Sequence, residues 1–214
     1  MKILALDYAT NWCGCAILDC GEVVIFESKY APRGHAENLA PMTEKLVKQS
    51  PLQWNSISGI AVTIGPGSFT GLRIGLSFAK GLSFALGIPI VPVSTMHAIA
   101  KSYDRDGVAV LYSHKNVIYW QSCEQSQIQY GTIDDLFHAT KPETTIFGNA
   151  VEILRDELQT YFSNENLYFN QETEQRNVIS VGKIATEYFD DMHVNNPINL
   201  APEYISEFSI QGKA

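Results

Sequence analysis

A chain of 214 residues has room for one large domain or two small ones, and 45% hydrophobic against 18% charged residues supply a packed core while giving disorder, collagen and coiled coil no compositional support. Fifteen Lys plus Arg against 23 Asp plus Glu leave a formal charge of −8 with no basic block, so the chain as a whole repels a phosphate backbone. The apolar runs at 60–64 and 82–93 are broken by Gly and Pro well short of a bilayer's thickness, and the start MKILALDYAT lacks the features of a secretory signal, which predicts a cytoplasmic chain with no membrane partner. Cys13, Cys15, Cys20 and Cys123 show no CxxC spacing and are expected as small buried cytosolic thiols, not as a zinc site or a disulfide framework.

In chain order, Ile3 to Leu6 is a short apolar strand ending on Asp7, and 13–18 and 22–28 follow as two strands joined by a Cys20-Gly21 turn. Residues 36–49 place Leu39, Met42 and Leu46 at helical spacing, with Pro41 expected to begin or kink that helix. Residues 58–64 return to strand, a glycine-rich turn leads into a long helix from about Phe69 to Leu86, and 88–93 forms another strand. Three strands, helix, strand, helix, strand is the ribonuclease H-like order. The polar stretch 101–107 is the expected lobe boundary. After it come a hairpin at 108–112 and 117–123, a short helix at 133–138, a strand at 144–147 and helices at 149–160 and 180–190. The segment ENLYFNQ at 165–171 is taken as a native loop, and no internal sequence repeat is visible.

The stretch GPGSFTGLRIG, Gly65 to Gly75, joins a strand to a helix, where a phosphate loop could lie. Its spacing fits neither a Walker loop nor GxGxxG, because Thr70 occupies the third glycine position. It does place Gly67, Gly71, Gly75 and Ala79 on one stripe, which lets another helix approach closely. Leu72 and Leu76 flank that stripe on one side and Ile74 and Phe78 on the other, leaving Arg73, Ser77 and Lys80 as a polar seam. The helix is expected to be covered on two faces, one by its own sheet and the other by the helix at 36–49 or by a helix of a second protein, and both of these can hold at once. In the second case the interface comprises Leu39, Met42, Leu46, Gly67, Phe69, Gly71, Leu72, Gly75, Leu76 and Ala79.

MKILALDYATN, RGHAENLAP at 33–41 and above all GPGSFTGLRIGLSFAKGLSFALGIPIVPVST resemble the TsaB (YeaZ) family, densely over the first hundred residues and thinly afterwards, with LAPEYI near the end as the main echo. The resemblance implies an α/β, actin-like fold of two ribonuclease H-like lobes with mixed sheets. These would be 1–100, carrying the glycine segment, and a smaller 101–214 whose last segment packs back on the first lobe. It also implies a non-catalytic paralogue of the transferase TsaD. In that system a separate enzyme makes threonylcarbamoyl-adenylate from threonine, bicarbonate and ATP, and the TsaD-type subunit passes the threonylcarbamoyl group to an adenosine beside the anticodon of tRNA. The implied partners are a TsaD-type transferase, a TsaE-type ATPase and a second copy of the chain, with tRNA reached only through the complex and with ATP and a metal ion belonging to the partner enzymes.

The catalytic paralogue carries HxxxH, two imidazoles one helical turn apart that hold a metal; here His35 is followed by Leu39, and His35 is expected as an exposed first-turn residue. Asp7 and Thr10 stand where actin-like enzymes place an acid near the nucleotide's metal. They form either a residual nucleotide site or a strand-end cap of the following turn. The family's DTST is DYAT here, with the bulkier Tyr8, and its DAR-like segment is replaced by Tyr112-Ser113-His114. The alternatives are an active actin-like ATPase or kinase, an M22-type metallopeptidase, which lacks its metal ligands here, and a ribonuclease H-class nuclease, which lacks an acid at Thr63-Ile64-Gly65.

Overall fold

The computed structural model describes residues 1–125 and 127–205. Residues 206–214 of the expected second lobe lie outside the described residues. Two five-stranded mixed sheets carry the chain. In the first, β1 (Lys2–Asp7), β2 (Trp12–Asp19) and β3 (Glu22–Tyr30) form an antiparallel meander, α1 (His35–Gln49) follows, β4 (Gly59–Gly65) pairs parallel to β1, and α2 (Phe69–Leu86) leads to β5 (Ile90–Ser94), giving the order β3-β2-β1-β4-β5. α3 (Thr95–Tyr103) then crosses to the second sheet.

That sheet repeats the topology. β6 (Val108–His114), β7 (Val117–Ser122) and β8 (Gln129–Thr132) are antiparallel; α4 (Ile133–Ala139) precedes β9 (Ile146–Phe147), and α5 (Asn149–Ile153) and α6 (Arg155–Leu158) precede β10 (Leu167–Tyr168), for the order β10-β9-β6-β7-β8. Three short helices close the described chain: α7 (Gln171–Gln175), α8 (Asn177–Glu187) and α9 (Phe189–Met192).

Strand alternation sends Leu4 and Leu6 to one face of the first sheet and Ile3 and Ala5 to the other. The first pair packs with Leu39, Met42 and Leu46 of α1 and Leu76 and Ala79 of α2; the second packs with Ala98 of α3 and Val178, Val181 and Ile184 of α8. Helices on both faces explain why β1 reads as an unbroken apolar run. α8 therefore belongs with the first sheet although it lies late in the chain. It seats closely because a Cβ on Gly14 would come 2.8 Å from Val178 Cβ. A third cluster, Met96, Ile99 and Tyr103 of α3 against Ala109, Leu111 and Phe147, joins the lobes.

Local chemistry sets the helix ends. Ser68 caps α2 by accepting from the Gly71 amide at 3.2 Å, and Gly87, in the left-handed region at φ 66°, stops it. α1 runs through Pro41, which sits on its exposed side. The expected helix at 149–160 is instead two short pieces broken at Leu154.

Candidate functional site

The carboxyl ends of β1, β4 and β6 meet at a cleft of about 810 Å³ between the lobes. The first lobe contributes Ala9 to Asn11 from the β1–β2 turn and Gly67 to Phe69 from the start of α2; the second contributes Leu111 to His114, Tyr119, Tyr130, Asn149 and Ile153. Asn149 Oδ1 accepts from the Tyr112 amide at 2.9 Å and so fixes the second wall. The lining holds hydroxyls, amides, an imidazole and tyrosine rings, and among the described residues it holds no carboxylate, lysine or arginine.

Asp7 does not reach the cleft. Its Oδ1 accepts from the Ala9 amide at 3.2 Å and the Thr63 hydroxyl at 3.0 Å, its Oδ2 accepts from Asn177 Nδ2 at 2.7 Å, and the side chain is buried. Burial raises its pKa, against the lowering effect of those three donors. Thr10 does line the cleft, with its hydroxyl accepting from the Trp12 amide at 3.1 Å. The two residues expected to share a nucleotide site are therefore separated. Asp7 takes the strand-end capping role, and the cleft does not fit a metal-bound nucleotide, because its lining among the described residues presents no carboxylate and the Asp7 side chain is buried away from it. Asp7→Ala would leave three buried donors without an acceptor. Relief of the buried charge offsets part of that, so thermal unfolding should show a net loss of about 2 kcal/mol.

His35 is corrected from exposed to buried: its Nε2 lies 2.7 Å from the Thr10 carbonyl oxygen and its ring meets Tyr8 edge-on at 6.2 Å between centroids. It fixes the β1–β2 turn, a role open to a histidine without the second imidazole.

The small-residue stripe is covered from within the chain. A Cβ on Gly67 would collide with the Ala9 carbonyl and one on Gly71 with the Tyr8 carbonyl, while at Gly75 it would meet the Tyr8 ring at 3.4 Å. Gly67, Gly71 and Gly75 thus face the chain's own β1–β2 turn, with Tyr8 filling the space that the glycines leave, while Ala79, the last member of the stripe, joins the core cluster shared with Leu39, Met42 and Leu46 of α1. Leu39, Met42, Leu46, Leu72, Leu76 and Ala79 are buried in the core, Leu39 also reaching the floor of a groove between α1 and α2; Phe69, 37% exposed, borders the cleft.

The exposed face of α2 is the seam Thr70, Arg73, Ser77, Gly81 and Phe84. Between it and α1 lies an open groove of about 390 Å³ with Ala36, Ala40 and the floor residue Leu39 on one side and Arg73, Ile74, Ser77 and Phe78 on the other. A Cβ at Gly81 would meet nothing within 4 Å, and Phe84 is 93% exposed. The sequence pointed to this seam through Arg73, Ser77 and Lys80, but the stripe beside it carried the more regular spacing.

Duplicated sheets of the order 3-2-1-4-5 around a cleft define the class: a two-lobed protein of the actin-like group. A family model described as TsaD, tRNA N6-adenosine threonylcarbamoyltransferase, matches residues 27–191, more than half of the chain, and the chain belongs to that family, in its TsaB (YeaZ) branch. It is 31% identical over 134 residues to the tRNA threonylcarbamoyladenosine biosynthesis protein TsaB of Haemophilus influenzae, covering 60% of this chain and 56% of that one. To the protein of the same description from Escherichia coli it is 29% identical over 165 residues, covering 74% and 67%. The chain thus spans little more than half the length of the first of these relatives. The fold is that of YeaZ from Pseudomonas aeruginosa, with a TM-score of 0.70 at 22% identity over 95% of this chain and 99% of that one. Among the described residues no helix is long and apolar enough to cross a membrane.

Proposed function

We propose that this chain is a non-catalytic partner subunit that binds and supports a TsaD-type transferase in forming threonylcarbamoyladenosine beside the anticodon of tRNA. The observation that carries this is the cleft. It keeps the position of an actin-like active site, yet its acid is sealed behind the wall by Asn177, Thr63 and the Ala9 amide. Similarity to the TsaB relatives supports the same role. On this reading ATP and the metal ion act in the partner enzymes, tRNA is held by the complex in the cytoplasm, and the net charge of −8 accords with weak tRNA binding by the chain alone. A TsaE-type ATPase and a second copy of the chain are the further partners of this reading.

The α1–α2 groove is the docking face. It is mostly apolar, with Ala36, Ala40 and Ser77 as small residues that let a helix approach, and Phe84 further along α2 is exposed. Gly81→Arg places a long cation on this open face without touching the core. Co-purification with a TsaD-type transferase should weaken by at least about tenfold while the melting temperature of the isolated chain does not fall. Undiminished association of the variant would remove this face from the interface. Threonylcarbamoyl transfer to tRNA by the chain alone, supplied with the adenylate, would overturn the non-catalytic role.

A further inference from the structure

Arg73 lines the groove with one part of its side chain and holds a second set of neighbours with another. Its Nε donates to Tyr204 Oη at 2.8 Å, and its guanidinium carbon lies 3.7 Å from the centroid of the Phe69 ring and 5.7 Å from that of Tyr204. The two rings meet at 5.3 Å. Tyr204 belongs to residues 201–205, which follow the end of the 3-10 turn Pro197–Asn199. This segment is held at three points on three different parts of the molecule. The Glu203 amide donates to the Ile64 carbonyl at the end of β4 at 2.7 Å, Tyr204 closes on Arg73 and Phe69, and Ile205 packs on the cluster of Met96, Ile99, Leu111 and Phe147 that joins the lobes. Phe69 in turn lines the cleft.

We propose that residues 201–205 are a latch across the two lobes and that Arg73 couples it to the α1–α2 groove, so that a helix packed in the groove tightens the latch beside the cleft. The groove's occupant rests on the docking function proposed above; the latch itself does not. Arginine loses much rotamer freedom when it is held in one geometry, and a cation over an aromatic ring gains strength as water is excluded from it. A neighbour packed against the Arg73 stem does both, and it therefore favours the arrangement in which the guanidinium is clamped by Phe69 and Tyr204. By reciprocity, a seated latch presents the groove with a fixed Arg73.

The test uses the full chain alone, followed by hydrogen exchange at the Glu203 amide with the amides of α8 as internal reference. Arg73→Met keeps the stem and removes the clamp, and should speed exchange at Glu203 by about tenfold with α8 unchanged. Ala40→Leu, at an exposed position, fills the groove beside Arg73 without any partner; it should slow exchange at Glu203, and should have no effect when combined with Tyr204→Ala. Unaltered exchange in Arg73→Met would overturn the latch. An effect of Ala40→Leu that is absent, or that persists without the Tyr204 side chain, would overturn the coupling. None of these variants involves the transferase, so failure here is distinct from failure of the co-purification experiment.

Discussion

Gly71→Ala is expected to lower the stability of the isolated chain by about 3 kcal/mol, the upper end of what overpacking costs, or roughly 6–12 °C in melting temperature for a chain of this size. The added methyl group lands on the Tyr8 carbonyl oxygen, which belongs to backbone at the end of β1 and cannot swing aside as a side chain would. The residue is helical, so alanine itself would otherwise be the better helix former. Gly81→Ala in the same helix isolates that preference, because nothing lies within 4 Å of its added Cβ; it should raise stability by about 0.5–1 kcal/mol. Opposite signs for two glycines ten residues apart would establish which face of α2 is closed by the chain and which is free for a partner. A Gly71→Ala protein that melts with the wild type but fails to co-purify with the transferase would reverse the assignment.

The same helix shows why part of the site was legible in the sequence and part was not. Spacing identifies which residues share a face, and Gly67, Gly71, Gly75 and Ala79 do share one. It does not identify what lies opposite, and the answer, Tyr8, sits some sixty residues away in the chain. The departure of DYAT from the family's DTST held the missing information, since a bulky ring in place of a small hydroxyl needs a matching space, and Gly75 supplies it. The strands of the first sheet were legible because burial on both faces leaves uninterrupted apolar runs. In the second sheet β9 falls within the strand expected at 144–147, but β10 has two residues, too few to show a period, and β8 alternates half-buried with exposed residues. α3 was missed because it follows β5 directly, with Ser94 serving as both the last strand residue and the helix cap. His35 was expected at the surface on its polarity alone; the Thr10 carbonyl that justifies its burial belongs to a turn whose path only the fold determines.

Glu174 is the clearest case of a residue with no sequence signal, since a buried carboxylate in QETEQR looks like any exposed helical acid. It lies on α7 between the lobes, 4% exposed, with its Oε1 accepting from Tyr103 Oη at 2.8 Å. Tyr103 stacks on Phe147 of the second sheet at 5.1 Å and meets Tyr168 edge-on, so the acid anchors a ring that bridges the lobes. Burial pushes the Glu174 carboxyl up to about 7; the Tyr103 bond opposes this, and the charges of Asp7 and Glu152 add to it. The folded protein therefore holds a proton here that the unfolded chain releases near 4.5, and between those values folding takes up protons. The contribution of this group to stability is consequently unfavourable above about pH 7, shrinks as the pH falls from 7 toward 4.5, and is absent below that. Glu174→Gln preserves the oxygen that Tyr103 needs and removes the charge. It should stabilise the chain by about 3 kcal/mol at pH 8 and by close to nothing at pH 4.5, as read from paired melts of variant and wild type. An equal difference at both pH values would mean that the variant acts through packing alone, and a destabilised variant at pH 8 would mean that the ionised carboxylate is itself held by the fold. The expected result makes the interlobe junction less stable in the wild type at neutral pH than its apolar contacts alone would allow.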